Sequence, residues 1–280
     1  MRKTWIEVAL GFLNLLVVVA IVVGAQPLAK KLPSLGPLLL VAVVLAAYWF
    51  GAKLIERRAP TELAINRAAP EVLLGLAVGL ALFSTVMVVL WAAGAYHPAG
   101  WLGHTRLASG LEFALLAGVV EEIVFRGFLF RLFSKLFGTW GALFLTSALF
   151  GLAHAKNPSA TVGSSLAIAI EAGLLLGGAY AATQRLWVPI GLHIGWNFSE
   201  GSIFGMTLSG NKMEPGLIGG TLQGSPILTG GAFGPEASLV AVILCFAVAV
   251  VFLWRAVRLE RIVLPVWKRP TTVAPASAME

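Results

Sequence analysis

Apolar runs of about twenty residues recur along this chain, separated by short clusters of charged residues, glycine and proline. That is the length an α-helix needs to cross the hydrocarbon core of a bilayer. The pattern predicts spans at approximately 6–25, 35–52, 70–94, 108–130, 139–155, 163–183, 187–205 and 236–256. The expected fold class is therefore all-α, a polytopic membrane bundle of about eight transmembrane helices. Residues 53–69 read as a short polar link in which Thr61 or a neighbour caps a surface helix. Residues 205–235 hold Gly219-Gly220, Gly230-Gly231, Pro215, Pro226 and Pro235, and read as a long outer loop of the kind that is functional or mobile. Residues 1–269 are expected to form one membrane-embedded domain, and 270–280 a disordered tail. The chain carries no visible internal repeat, so the inverted-repeat sign of many secondary transporters is missing.

Composition sharpens this picture. Hydrophobic residues make up 58% of the 280 positions and charged residues 12%, about half the charged share of a soluble domain. The net charge of +7 is no nucleic-acid signal, because the basic residues flank apolar runs, as the positive-inside rule places them. Lys53, Arg57, Arg58 and Arg67 follow the second run, and Arg255, Arg258, Arg261, Lys268 and Arg269 follow the last. With an even number of spans both termini lie in the cytoplasm, and Arg126, Arg131, Lys135 and Arg185 fall on the same side; only Lys30-Lys31 disagrees. The first run, preceded by Met1-Arg2-Lys3, reads as a retained signal anchor, Val23-Gly24-Ala25 being a weak cleavage site. A composition rich in Ala, Gly, Leu and Val suits a bacterial inner membrane, with lipid as a partner. The single cysteine, Cys245, excludes an intramolecular disulfide and any CxxC metal site.

Ionisable groups inside a membrane are expensive and mark functional sites by default. The first are in Glu121-Glu122-Ile123-Val124-Phe125-Arg126. Neighbouring helical residues point about 100° apart, so the two glutamates cannot do the same job. Glu122 and Arg126, spaced i,i+4 with the acid first, suit an ion pair. Glu121 is then left as a free carboxylate in low dielectric, able to act as a base. The alternative is a structural ion-pair cluster near a helix end. His154 closes Phe150-Gly151-Leu152-Ala153-His154, where a lone histidine can equally be a capping residue. His193 and Asn197, four apart in His193-Ile194-Gly195-Trp196-Asn197, face one way, and helix packing would also explain the amide. Three helices carrying a base, two imidazoles and an amide could surround one cavity with the means to activate water and hold an oxyanion. Glu171, near Gly173 and Gly177, could supply that cavity, pair with Arg185 or sit near the outer surface. His97 and His104 read as solvated loop residues.

In this order, EEIVFR, FGLAH and HIGWN resemble the EExxxR, FxxxH and HxxxN motifs of the CPBP family of intramembrane proteases (CAAX proteases and bacteriocin-processing enzymes, or Abi), over about residues 105–205. The resemblance implies a catalytic carboxylate at Glu121 and a supporting pair, Glu122 and Arg126. It also implies a histidine beside the water, His154, and an oxyanion or metal site at His193 and Asn197. The family is commonly classed as metalloproteases. Glu121, His154 and His193 could then form a two-histidine, one-carboxylate site for a metal such as zinc. No HExxH is present, and Arg126 is expected to occupy the other candidate base, Glu122, so water activated directly by Glu121 and His154 is the favoured reading. The rivals are a non-enzymatic immunity or scaffold protein of the same fold and a proton-coupled transporter.

Overall fold

Leu, Val and Ala dominate the apolar runs, and each run folds as helix in a computed structural model that describes residues 2–32, 35–103 and 107–269. The helices are α1 (Arg2–Lys30), α2 (Gly36–Leu54), α3 (Ala68–Ala92), α4 (Leu107–Glu122), α5 (Arg131–Ala153), α6 (Val162–Ile168), α7 (Leu175–Thr183), α8 (Trp187–Phe198), α9 (Pro226–Thr229) and α10 (Leu239–Arg258). Their ends obey local chemistry. Thr161 and Ser164 form a reciprocal capping box at α6, and Ser238 accepts the Ala241 N–H at the start of α10. His104 and the tail at 270–280 lie outside the described residues.

The bundle is an integral membrane structure. Among the described residues five helical segments are long and apolar enough to span a bilayer: Lys3–Lys30, Gly36–Leu54, Thr61–Ala92, Val162–Thr183 and Leu239–Arg258. Large apolar side chains such as Leu16, Phe50, Leu74 and Phe246 point outward from these helices, where lipid rather than water receives them. The expected spans at 108–130, 139–155 and 187–205 are helical but interrupted. α4 widens into a π-helical stretch at Ile123–Phe130, α5 breaks at Gly138, and α8 widens after twelve residues. At Gly138 φ is +72°, and a Cβ would strike the Val263 carbonyl oxygen at 2.6 Å, so the turn requires glycine.

The all-α expectation needs one addition. Tyr96–Trp101 (β1) pairs antiparallel with Ile218–Leu222 (β2), with a bulge between Pro98 and Gly100. β1 carries a proline and β2 two adjacent glycines, residues that weaken a strand signal in sequence. His97 is exposed on β1, and the strand pair ties the 205–235 segment to the end of α3.

The basic residues gather at one end of the bundle. Lys135 binds Glu7 (2.6 Å), and Arg131 and Arg58 bind Glu56 at 2.8 and 2.9 Å, with Asn14 donating to the same carboxylate at 2.8 Å. Burial would raise the Glu56 carboxyl, but Arg131, Asn14 and Arg58 hold it below the usual carboxylate range. Arg185 takes Glu71 (2.7 Å), Arg261 donates to the Ala182 carbonyl, and Thr139 and Val263 bond to each other at 2.9 and 2.8 Å.

α3 and α8 share the most extensive helix contact, through facing glycines. A Cβ on Gly75 or Gly79 would sit 2.2 Å from the carbonyl oxygens of Val188 and Leu192, and one on Gly191 or Gly195 would sit 2.3 or 2.4 Å from those of Val72 and Leu76. Backbones this close are the small-xxx-small packing of membrane helices. It turns the opposite face of α8, with His193 and Asn197, to the bundle interior. Gly195→Leu should therefore separate α3 from α8 and lower the thermal unfolding midpoint in detergent, whereas Leu at exposed position 74 is already tolerated by lipid. An unchanged midpoint for Gly195→Leu would mean the seam does not hold α8.

Candidate active site

Glycine also brings the remaining helices together. Gly118 of α4 meets Ile194 of α8, Gly151 of α5 meets the Ser165 carbonyl, and Gly173 meets the Cα of Ser147. These crossings surround a cavity of about 360 Å³ lined by Glu121, His154, His193 and Asn197 together with Glu171. Four of the six residues singled out from sequence thus share one wall system, and the other two lie directly behind it.

Glu122 and Arg126 are fully buried. Arg126 Nη1 donates to Glu122 Oε1 at 2.7 Å, and Nη2 donates to the carbonyls of Ala172 and Gly173 at 3.0 and 3.1 Å. His193 Nδ1 lies 3.0 Å from the same Glu122 oxygen. Because a carboxylate only accepts, Nδ1 carries the hydrogen, and Nε2 is left for the cavity. His154 Nδ1 likewise donates to the Phe150 carbonyl at 2.9 Å, which again leaves Nε2 unengaged by that bond. The Phe150 ring stacks on His154 with centroids 4.8 Å apart, and the Arg126 guanidinium lies 5.0 Å from that ring's centre. Glu121 stands apart from this network. It lines the cavity, and its Oε2 is buried without a hydrogen-bond partner.

Glu171 lines the cavity, and Arg185, its other candidate partner, is taken by Glu71. Two carboxylates were not singled out by the sequence reading. Glu200 is fully buried beside Ser199, and Glu236 lies in the cavity wall, where it accepts the Ser209 backbone N–H. Burial pushes the Glu236 carboxyl up, against the Ser209 hydrogen bonds and the His154 imidazole that draw it down. A signal for Glu200 existed, since it is an acid inside an expected span. The π-helical stretches supply a structural one. Ile123–Phe130 directly follows Glu121-Glu122, Ala169–Leu174 contains Glu171, and Ser199–Ile203 contains Glu200. Such widened turns are frequent at functional sites.

The site lies well away from the basic end of the bundle. Glu121 is ten residues from Arg131, Asn197 ten from Trp187, and His154 fifteen from Thr139. At 1.5 Å per residue these are about 15, 15 and 22 Å from the basic end. Asn211, which lines the cavity and is exposed, belongs to the segment after α8 at the far end. The cavity opens there, because α5 starts at the basic end and runs its full length before reaching His154.

Among the described residues, no three His, Cys, Asp or Glu side chains are grouped so as to hold a metal ion. The donor set as it stands does not fit the implied metal, and no chemical step is routed through one. Residues 103–199 match the family model described as type II CAAX prenyl endopeptidase Rce1-like. That stretch contains all six of Glu121, Glu122, Arg126, His154, His193 and Asn197. No curated protein and no solved structure matches the chain.

Proposed function

We propose, for a chain whose residues 103–199 match the family model of type II CAAX prenyl endopeptidases, that Glu121 is the base of an intramembrane peptide-bond hydrolysis. The observation that carries this assignment is the division between the two glutamates. Glu122 binds both Arg126 and His193 through Oε1 and does not line the cavity, while Glu121 lines the cavity and hydrogen-bonds to neither of them; the second oxygen of each carboxylate is buried without a partner.

In this reading Glu121 removes a proton from a water molecule as the water oxygen attacks the scissile carbonyl carbon. The proton then passes to the leaving amide nitrogen as the C–N bond breaks, yielding a carboxylic acid and an amine. His154, held by the Phe150 carbonyl and the Phe150 ring, offers Nε2 to position the water. Glu122 stabilises a proton-rich imidazole at His193, whose Nε2 side, with the Asn197 amide, would hold the developing oxyanion. Arg126 touches none of the reacting atoms and acts by fixing Glu122. The substrate is a membrane-associated protein or peptide, since the cavity lies among the spans.

Cleavage of a membrane-anchored peptide by the detergent-purified chain tests the reading, with Glu121→Gln as control. Hydrolysis by the wild type that the control retains would remove Glu121 from the role.

Access gives an independent check. The basic end is assigned to the cytoplasm by the positive-inside rule, with both termini there and the bacterial inner membrane as the setting. The cavity mouth at Asn211 then faces the other side. In a Cys245→Ser background, Asn211→Cys should react with a membrane-impermeant thiol reagent added outside intact cells. Arg67→Cys, exposed at the basic end, should react only in inverted vesicles. The opposite pattern would reverse the topology.

A further inference from the structure

The residues assigned to hydrolysis leave an acidic pole of the cavity unexplained. There Glu171 and Glu236 form part of the wall, 3% exposed each. Glu200 lies behind them, 0% exposed and against Glu236. Neither Glu200 oxygen makes a hydrogen bond of ordinary geometry. Among the described residues none of these three forms an ion pair, whereas Glu56, Glu62, Glu71 and Glu122 each do. Among the described residues no Lys or Arg lines the cavity. Arg126 is committed to Glu122 and two carbonyls.

Apart from the His154 imidazole, which acts on Glu236, and Arg126, whose charge reaches Glu171, the neighbouring polar groups add acceptors rather than cations. Asn157 and Asn211 both donate their amide N–H to the Ser209 carbonyl, at 2.9 and 3.2 Å, so the oxygens of both amides are left over for another donor. A second and separate observation points to an elongated ligand. Trp196 lines the same cavity, and its indole N–H is buried with no partner, although a buried indole N–H ordinarily finds an acceptor. A peptide supplies both missing parts, a carbonyl for the indole and a side chain for the acidic pole. Buried carboxylates without a counter-ion are costly, and a ligand that brings the cation removes that cost on binding.

We infer that the pole formed by Glu171, Glu200 and Glu236 receives the ammonium or guanidinium of a lysine or arginine near the scissile bond, making the enzyme selective for peptides with a basic residue. The inference rests on the cavity being the peptide site, as in the endopeptidase reading. Glu236 and Glu171 touch the cation from the wall, and Glu200 adds charge from behind.

Binding tests the pole apart from turnover. The full chain carrying Glu121→Gln, in lipid nanodiscs, is titrated with dye-labelled apolar peptides in which one lysine is moved a position at a time. Each has a norleucine and a glutamate counterpart, and anisotropy reports affinity. In one register the lysine peptide should bind at least about tenfold tighter than its norleucine match, as expected for a charge-assisted contact in low dielectric. The glutamate peptide should bind more weakly than either. Glu236→Gln and Glu171→Gln should erase the lysine preference, so that the lysine and norleucine peptides bind alike. The lysine–norleucine comparison needs no change at the pole, so it stands even if those variants fail to fold. Equal binding in every register, as for carboxyls that merely share protons, overturns the inference, and so does no binding by any peptide. A clear preference without wild-type cleavage would instead retain the pole and reject the hydrolysis.

Discussion

Glu121→Gln is expected to lower peptide cleavage by about 10²–10⁴-fold, the usual contribution of a positioned general base, with no fall in the thermal unfolding midpoint. Glutamine keeps the size of the side chain and removes its capacity to take a proton. Glu121 hydrogen-bonds to neither Arg126 nor His193, although its charge acts on both, so folding depends on it less than on Glu122. Glu122→Gln should behave differently. It weakens the bond to Arg126 and leaves His193 Nδ1 with a poorer acceptor, so activity and midpoint should fall together. Initial cleavage rates measured beside thermal melts of the same preparations separate the two patterns. If both variants lost activity with unaltered melts, the division of roles between the glutamates would be wrong.

The largest loss of stability should come from Arg126→Met. This guanidinium is completely buried, balances Glu122 and caps the carbonyls of Ala172 and Gly173 in the neighbouring widened turn. Removing one member of a buried pair leaves an uncompensated charge and costs about 3–5 kcal/mol. Replacing both members by apolar groups of similar volume is often close to neutral. Arg126→Met combined with Glu122→Leu should therefore regain much of the lost stability while remaining inactive, because His193 has lost the carboxylate that orients it. Detergent unfolding curves for the two single variants and the double variant provide the cycle. A single Arg126→Met variant as stable as the wild type would show that the pair is not buried as described.

Much of the site could be read along the chain because helical geometry is local. The i,i+4 spacing of Glu122 and Arg126 is enough to pair them, and the same spacing puts His193 and Asn197 on one face of α8. The link from His193 to Glu122 could not be read in this way. It joins residues 71 positions apart and exists because Gly118 lets α4 approach Ile194 of α8. Glu236 was hidden for a related reason. In sequence it stands where the glycine- and proline-rich loop at 205–235 meets the last expected span, and only the return of that loop over the bundle, pinned by Asn157 and by the pairing of β1 with β2, carries it into the cavity wall. The strand pair itself escaped notice because proline and glycine suppress the propensity signal on both partners.

The sequence by itself determined that this chain is a helical membrane protein and that its motifs resemble those of CAAX-type proteases, since hydropathy over about twenty residues and motif spacing within one or two turns are properties of short segments. Only the tertiary structure decided how deep the site lies, which end of the bundle it opens towards, and that Glu171, Glu200 and Glu236 meet beside it. Those facts depend on how far each helix runs before it breaks or widens, and on backbone approaches at Gly75, Gly79, Gly151, Gly173, Gly191 and Gly195. A glycine in sequence announces that close packing is possible, but the helix that fills the space is selected by the whole bundle.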